Sequence, residues 1–426
     1  APLFDFWQAA PGGYVPPFDG LGLDPTSTFV TVANPFPVET SKQTVPLLMT
    51  VPNANSGHTK PAAGWPVAIF GHGLGRQRSD MLRIADAAAS VGYAVIAIDV
   101  PLHGIRPEDE ALAPLYIENT RFADVANERT FNVDYVNNDT LEFEPDGITD
   151  ASGQWALNFI SLLTQRDNLR QGQVDNSVLA VTVPTISLDG DALPDLDGST
   201  IQWVSISGGS VIGPAIVATE PTIINAFMSV GGGGIARLLN GSEYYGPRIQ
   251  AALKSLAGIE PGTADYESYL QAWQTVIESA DAINWAGEAA RFNNIVVHEV
   301  ICDDTVPNYV FPLSGTEPMI AAMGLEAYSS TQQNSDGLRV VGRFVPPAVH
   351  GSLLDPSASP AATAEMQKQF ASFIGSRGTA IVVEDATTMV PAAAPASEKE
   401  VSAKNKSAVP VKKPITPIKP KGGSRD

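Results

Sequence analysis

From Trp65 onward, short runs of Val, Ile and Ala alternate with segments whose apolar residues recur every three or four positions. The runs suit strands buried on both faces; the second pattern suits helices packed along one stripe. The runs predict strands over 66–70, 94–99, 202–206, 226–230, 295–301 and 338–344. The helical period predicts helices over 79–91 and 153–169, one beginning after Ser207, and one near 361–374. Strands and helices in alternation are the signature of a mostly parallel α/β sheet with helices on both faces.

Three stretches break that rhythm. Residues 1–60 are rich in Pro, Phe, Thr and Val, and read as a β-rich lead-in packed on the body, with strand-like pieces at 28–33 and 44–51. Residues 104–150 are acidic, Asn-rich and weakly periodic. Residues 235–290 look helical, carrying Leu238, Leu253, Leu270 and Trp273 among other apolar positions, and form a candidate cap or lid. A plain helical excursion explains them equally well. Residues 61–383 are thus expected to form one catalytic-sized body containing two insertions. After Glu384 the chain turns to Ala, Pro, Ser and Lys, a composition expected of a disordered tail.

Charge narrows the partners. The net charge is −20, and the last 43 residues hold eight Lys/Arg against five Asp/Glu, so the acidity lies in the body. A body this acidic repels phosphate backbones, which excludes nucleic acid as the expected partner. No apolar run approaches the roughly 18 residues of a membrane span. With one cysteine, Cys302, no intramolecular disulfide can form. The first residue is Ala, as in a mature or trimmed chain. Oligomeric state is not legible.

The chemistry concentrates where strands end. The run 201–206 stops at Ser207, followed by Gly208 and Gly209 and then a small-residue helical stretch. Strand, tight turn and helix around a serine read as a nucleophile elbow, whose neighbours two positions away must be small. Ser205 and Gly209 meet that demand for Ser207, although Ser205 stands where G-x-S-x-G has its first Gly. Ser210 as the nucleophile would put Ile212 in the crowded position. The bland alternative is a Ser/Gly turn without chemistry.

A serine nucleophile needs a base, an orienting acid and two oxyanion donors. In the strand–Ser–helix order, the acid and then the histidine follow in sequence. His350, in a loop after the last predicted strand, is the sole histidine beyond residue 298. The acid is expected at the end of the preceding strand, where Asp303 and Asp304 compete; the D-x-x-V-P spacing selects Asp303, with Asp304 next. The oxyanion donors expected are the backbone N–H groups of Gly208 and of Leu74, the latter in the loop Gly71–His72–Gly73–Leu74–Gly75. His72 and Gly73 would shape that loop. The glycine spacing there does not match a dinucleotide fingerprint.

A softer candidate lies at Asp189, Asp191, Asp195 and Asp197. Alternating carboxylates can supply the hard oxygens Ca²⁺ prefers, but the loop lacks the Gly and Glu of an EF-hand. A solvated acidic turn is the simpler reading, and no cofactor is required by the serine chemistry.

Across residues 65–355, in order, the chain resembles the bacterial extracellular lipases with a virulence-factor-lipase type N-terminal region, a group that includes surface-exposed lysophospholipases of the α/β-hydrolase superfamily. The resemblance rests on FGHGL at 70–74, DVPLHG at 99–104, TQRDNLRQ at 164–171, the Ser207 elbow, GGGGIARL at 231–238, DDTVP at 303–307 and HGSLL at 350–354. It implies an α/β-hydrolase fold, cofactor-free hydrolysis of lipid or other esters, and export from a Gram-negative cell. With no cysteine near the start, lipid anchoring to the outer membrane is not expected. Polyester or polyhydroxyalkanoate depolymerisation would use the same triad, as would an amidase or peptidase. A catalytically silent binding module is the alternative from another class.

Overall fold

The computed structural model describes residues 3–140, 142–188, 190 and 194–392. Its centre is an eight-stranded sheet in the order β1-β3-β2-β4-β5-β6-β9-β7. The strands are β1 (Leu47–Thr50), β2 (Trp65–Gly71), β3 (Ala94–Ile98), β4 (Leu196–Ile206), β5 (Ile223–Ser229), β6 (Asn294–Val300), β7 (Glu326–Tyr328) and β9 (Arg339–Phe344). A separate two-stranded ribbon joins β8 (Gln332–Gln333) to β10 (Ala380–Ile381). β1 runs antiparallel to β3, and every other pairing in the large sheet is parallel.

All six predicted strands are present to within a few residues, because their Val/Ile/Ala runs fill two cores at once. One side of the sheet packs Ile69, Trp203 and Met228 among others; the opposite side packs Phe70, Val204 and Phe227. The helices covering the faces are α1 (Leu82–Ala89), α2 (Leu162–Thr182), α3 (Gly208–Thr219), α7 (Ala282–Phe292), α8 (Thr316–Met323) and α9 (Pro360–Gly375). Between α3 and α7 come α4 (Ile235–Gly241), α5 (Gly246–Ala257) and α6 (Ala264–Ile277). These three build a third core around Leu253, Tyr266 and Trp273, which also packs against Leu169 of α2 and Val211 of α3. The insertion is therefore seated over the ends of two sheet-covering helices.

Three expectations change. The helix expected over 153–169 runs from Leu162 to Thr182 instead. The Ser161 hydroxyl accepts the Thr164 N–H as an N-cap, and the Asn158 carboxamide takes the Ile160 and Ser161 N–H groups, so the chain upstream is committed to turns. The lead-in is less β-rich than expected. Among its described residues the one regular strand is Leu47–Thr50, while 28–33 makes only an isolated bridge between Phe29 and Gln8. Prolines at 25, 35 and 37 remove ladder donors there. At the other end, the ordered body extends past 384: Met389 is buried, and Val390 N–H donates to Arg343 O at 2.8 Å.

The acidic insertion 104–150 is irregular, with short turns at Glu110–Leu112 and Ile117–Asn119. Arg78, itself buried, pins it to the sheet. Its guanidinium pairs with Asp99 at the end of β3 and reaches both carboxylate oxygens of Glu128 at 2.6 and 2.7 Å. Glu128 also accepts the N–H groups of Ile105 and Ile117. Among the described residues, no helix is long and apolar enough to cross a membrane.

Candidate active site

Four parallel strands deliver the candidate residues to one edge of the sheet. β2 ends at Gly71 and leads into His72–Gly75, β4 ends before Ser207, β6 leads to Asp303, and β9 leads to His350. Ligands and catalytic groups gather at such carboxyl ends because the connecting loops emerge there.

Ser207 is held at φ 53°, ψ −118°, a backbone conformation that costs a non-glycine residue about 1–3 kcal/mol. Its surroundings fix it there. Ser207 N–H donates to Ser229 O at 2.9 Å, and α3 begins immediately afterwards. The turn needs a glycine at 209 because a Cβ there would lie 2.2 Å from Gly71 O. Ser205, expected merely to be small, does more. Its Oγ accepts the Trp203 indole N–H at 3.0 Å and bonds Ser210 Oγ at 2.9 Å, which in turn donates to Ser229 O. A hydrogen-bonded clamp thus backs the elbow from inside the sheet.

His350 and Asp303 are joined by a 2.7 Å hydrogen bond between Nδ1 and Oδ2. The other carboxylate oxygen of Asp303 accepts the N–H groups of Thr305 and Val306, each at 2.9 Å. The Asp303 side chain is 1% exposed, so this acid is fixed on both oxygens. Asp304 plays a different part: its carboxylate takes the Thr305 hydroxyl, and its carbonyl accepts from Tyr244 N–H and the Ser242 hydroxyl. The structure therefore brings Asp303, not Asp304, to the histidine.

The Leu74 and Gly208 backbones meet beside Ser207: a Cβ on Gly208 would lie 2.7 Å from Leu74 N, and one on Gly73 would lie 3.6 Å from Ser207 Oγ. Among the described residues, neither N–H has an acceptor. Both are thus free to meet negative charge, as an oxyanion hole requires. His72 is buried; its Nδ1 lies 2.9 Å from Gly73 O, and its Nε2 accepts Val100 N–H. It ties the loop to the segment that follows β3. His103 supports the same loop by accepting Gly75 N–H on Nε2. Burial pushes the His103 imidazole down to about 3, so it stays neutral.

Two cavities meet at Ser207, sharing Gly73, Leu74 and Tyr245 as common walls. One, of about 90 Å³, is mostly apolar and runs between α2, α3 and α4, lined by Val211, Ile212, Leu238 and Leu239 among others. The other, of about 340 Å³, is more polar and carries His350, Thr305, Arg76 and Arg83. The helical insertion expected as a cap supplies walls to the first through Ile235, Leu238 and Leu239.

Two of the four acidic-loop candidates can be placed. Asp189 and Asp191 lie outside the described residues. Asp195 pairs with Lys60 and accepts Leu188 N–H, while Asp197 takes the N–H and hydroxyl of Ser199 and the Thr200 hydroxyl. Among the described residues, no three His, Cys, Asp or Glu side chains are grouped to hold a metal ion.

The strand order, the antiparallel edge strand and the helices on both faces define an α/β-hydrolase fold. A scan of protein-family models finds no match, and a search of curated proteins finds none either. Among solved structures, the chain is similar to a monoacylglycerol lipase from Paleococcus ferrophilus at 11% identity and a TM-score of 0.40, covering 78% of this chain and 99% of that one. An acylaminoacyl peptidase from Pyrococcus horikoshii aligns at 12% identity and a TM-score of 0.41, covering 81% of this chain and 42% of that one. An acetyl xylan esterase from Paenibacillus sp. R4 aligns at 14% identity and a TM-score of 0.40, covering 72% and 74% of the two chains. Similarity at this level says nothing of substrate.

Proposed function

We propose that this chain is a serine carboxylic-ester hydrolase working through Ser207, His350 and Asp303. The supporting observation is that Ser207, on its strained turn, and His350, already oriented by Asp303, line the same cavity. In the proposed reaction His350 Nε2 removes the Ser207 proton as Oγ attacks the ester carbonyl. Leu74 and Gly208 N–H donate to the tetrahedral oxyanion. Its collapse breaks the acyl–oxygen bond, and the leaving alkoxide takes the proton from His350. A water, deprotonated by His350, then attacks the acyl-enzyme and frees the acid and Ser207.

The two cavities fit the two halves of an ester. The leaving oxygen must reach the histidine proton, so the alcohol half belongs in the cavity that His350 lines. The acyl half then enters the apolar cavity, which His350 does not line. No cofactor takes part. Lipids are the substrate class implied by the lipase resemblance, and release outside a Gram-negative cell belongs to the same proposal.

Matched 4-nitrophenyl butanoate and butanoyl 4-nitroanilide test the reading. The ester is expected to turn over far faster, and Ser207→Ala should lower kcat on the order of 10⁶-fold if the three groups act as a unit. Equal turnover of the anilide would make the chain an amidase. Ester turnover retained by Ser207→Ala would remove the serine mechanism altogether.

A further inference from the structure

The wall of the apolar cavity formed by α2 presents Gln165, Asn168, Leu169 and Gly172. Their spacing of three, one and three residues places them on one helix face. Leu169 and Gly172 suit an acyl chain. Gln165 does not: its side chain is fully buried, and neither Oε1 nor Nε2 has a hydrogen-bond partner among the described residues. Asn168 Nδ2, one turn along, is likewise buried and unpartnered. Buried amides in folded proteins are almost always satisfied, and exceptions call for a reason.

The lining of this cavity limits what could satisfy them. Apart from the two buried histidines 72 and 103, it contains no ionisable side chain but Tyr245, and no Lys, Arg, Asp or Glu. A carboxylate or ammonium group would enter without a counter-ion, so the missing partner is uncharged. It must also both give and take a hydrogen bond, since Gln165 Oε1 needs a donor while Gln165 Nε2 and Asn168 Nδ2 need acceptors. A hydroxyl group does both. A ketone or second ester carbonyl would leave Gln165 Oε1 unpaired.

Resting on the ester-hydrolase reading above, we propose that Gln165 and Asn168 form a specificity site for a hydroxyl on the acyl chain, making hydroxyacyl esters the preferred substrate class. The hydroxyl donates to Gln165 Oε1 and accepts from the amide N–H groups. A plain acyl chain leaves all three polar atoms unpaired against hydrocarbon. A site built to bond a substrate hydroxyl discriminates strongly against the analogue lacking it.

The test compares kcat/KM of the full chain for methyl hexanoate, methyl 3-hydroxyhexanoate and methyl 6-hydroxyhexanoate, followed by acid release at constant pH. At least one hydroxyester is expected to exceed methyl hexanoate by at least about 10²-fold, within the roughly 10⁴–10⁵-fold that sites built to bond a substrate hydroxyl reach. In Gln165→Met, and separately in Asn168→Leu, that ratio should fall towards unity; a merely structural role would lower all rates together and leave the ratio in place. A wild-type ratio near unity overturns the proposal, as does a ratio that survives in both variants. Fluorophosphonate labelling of the wild type separates the two levels of failure. Labelling and ester hydrolysis without hydroxyl preference overturn only the specificity site; neither labelling nor ester hydrolysis overturns the ester-hydrolase reading and this proposal with it.

Discussion

A Cβ placed on Gly208 would lie 2.7 Å from the backbone nitrogen of Leu74. The Leu74 backbone thus packs against Gly208 too closely to admit a side chain there. Gly208→Ala should push the loop after β2 away and, on the proposed mechanism, disable one oxyanion donor. Loss of one oxyanion donor typically lowers kcat about 10²–10³-fold. Steady-state kinetics on a short ester should show that loss, with the circular dichroism spectrum of the wild type retained.

Ser205 gives a prediction that runs against the usual motif. Replacing it with the glycine common at that position leaves the buried Trp203 Nε1 without its acceptor and removes one of the two partners of Ser210 Oγ. Unsatisfied buried polar groups cost about 1–3 kcal/mol each. Ser205→Gly is therefore expected to be less stable than the wild type by at least about 1 kcal/mol. Urea unfolding checks it; an unchanged or higher midpoint would show that the clamp contributes nothing.

The pin between Arg78 and the acidic insertion should be sensitive to loss of one charge. Glu128→Gln leaves the buried guanidinium with Asp99 as its remaining carboxylate and weakens a bidentate pair. Breaking a buried pair from one side costs about 3–5 kcal/mol. Limited proteolysis should then cut within 104–150 at a protease concentration the wild type resists.

Acid should destabilise the fold through His298. This imidazole is fully buried, with Nε2 2.9 Å from Gln369 Oε1, and burial pushes it down to about 3. In the unfolded chain a histidine takes its proton near 6.5. Between those values the unfolded state binds a proton that the folded state refuses. The stabilising contribution is thus complete above about pH 6.5 and is lost as pH falls toward 3. Within that window His298→Gln should reduce the slope of stability against pH by up to about 1.4 kcal/mol per unit. Urea unfolding at pH 7, 6 and 5 measures that slope; an identical slope in the variant would show that His298 titrates alike in both states.

Much of this was legible because strand interiors and strand ends obey different rules. Ile69, Val204 and Val297 advertise buried parallel strands by composition, and whatever follows such a strand must sit at the loop edge where chemistry collects. Ser207, Asp303 and His350 follow such strands in the expected chain order. Asp303, which the spacing favours over Asp304, is the carboxylate hydrogen-bonded to the His350 ring. The helix Leu162–Thr182 was misplaced because its buried face is polar. Thr164, Gln165, Asp167, Gln173 and Asn176 point inward, while Val174, Val178 and Val181 face out, so the helical period disappears from the hydrophobicity pattern. For the same reason Gln165 stands out in the sequence only as part of the TQRDNLRQ stretch. The clamp at Ser205 was equally hidden, since its partners Trp203 and Ser210 are set by side-chain packing and not by any spacing rule.

The most direct measurement is the site of covalent capture by a fluorophosphonate, mapped by peptide mass spectrometry on the full chain. One stoichiometric adduct on Ser207 is expected, forming on the order of 10³-fold more slowly in His350→Ala. An unlabelled Ser207, or an adduct whose rate is indifferent to the loss of His350, would contradict the serine mechanism.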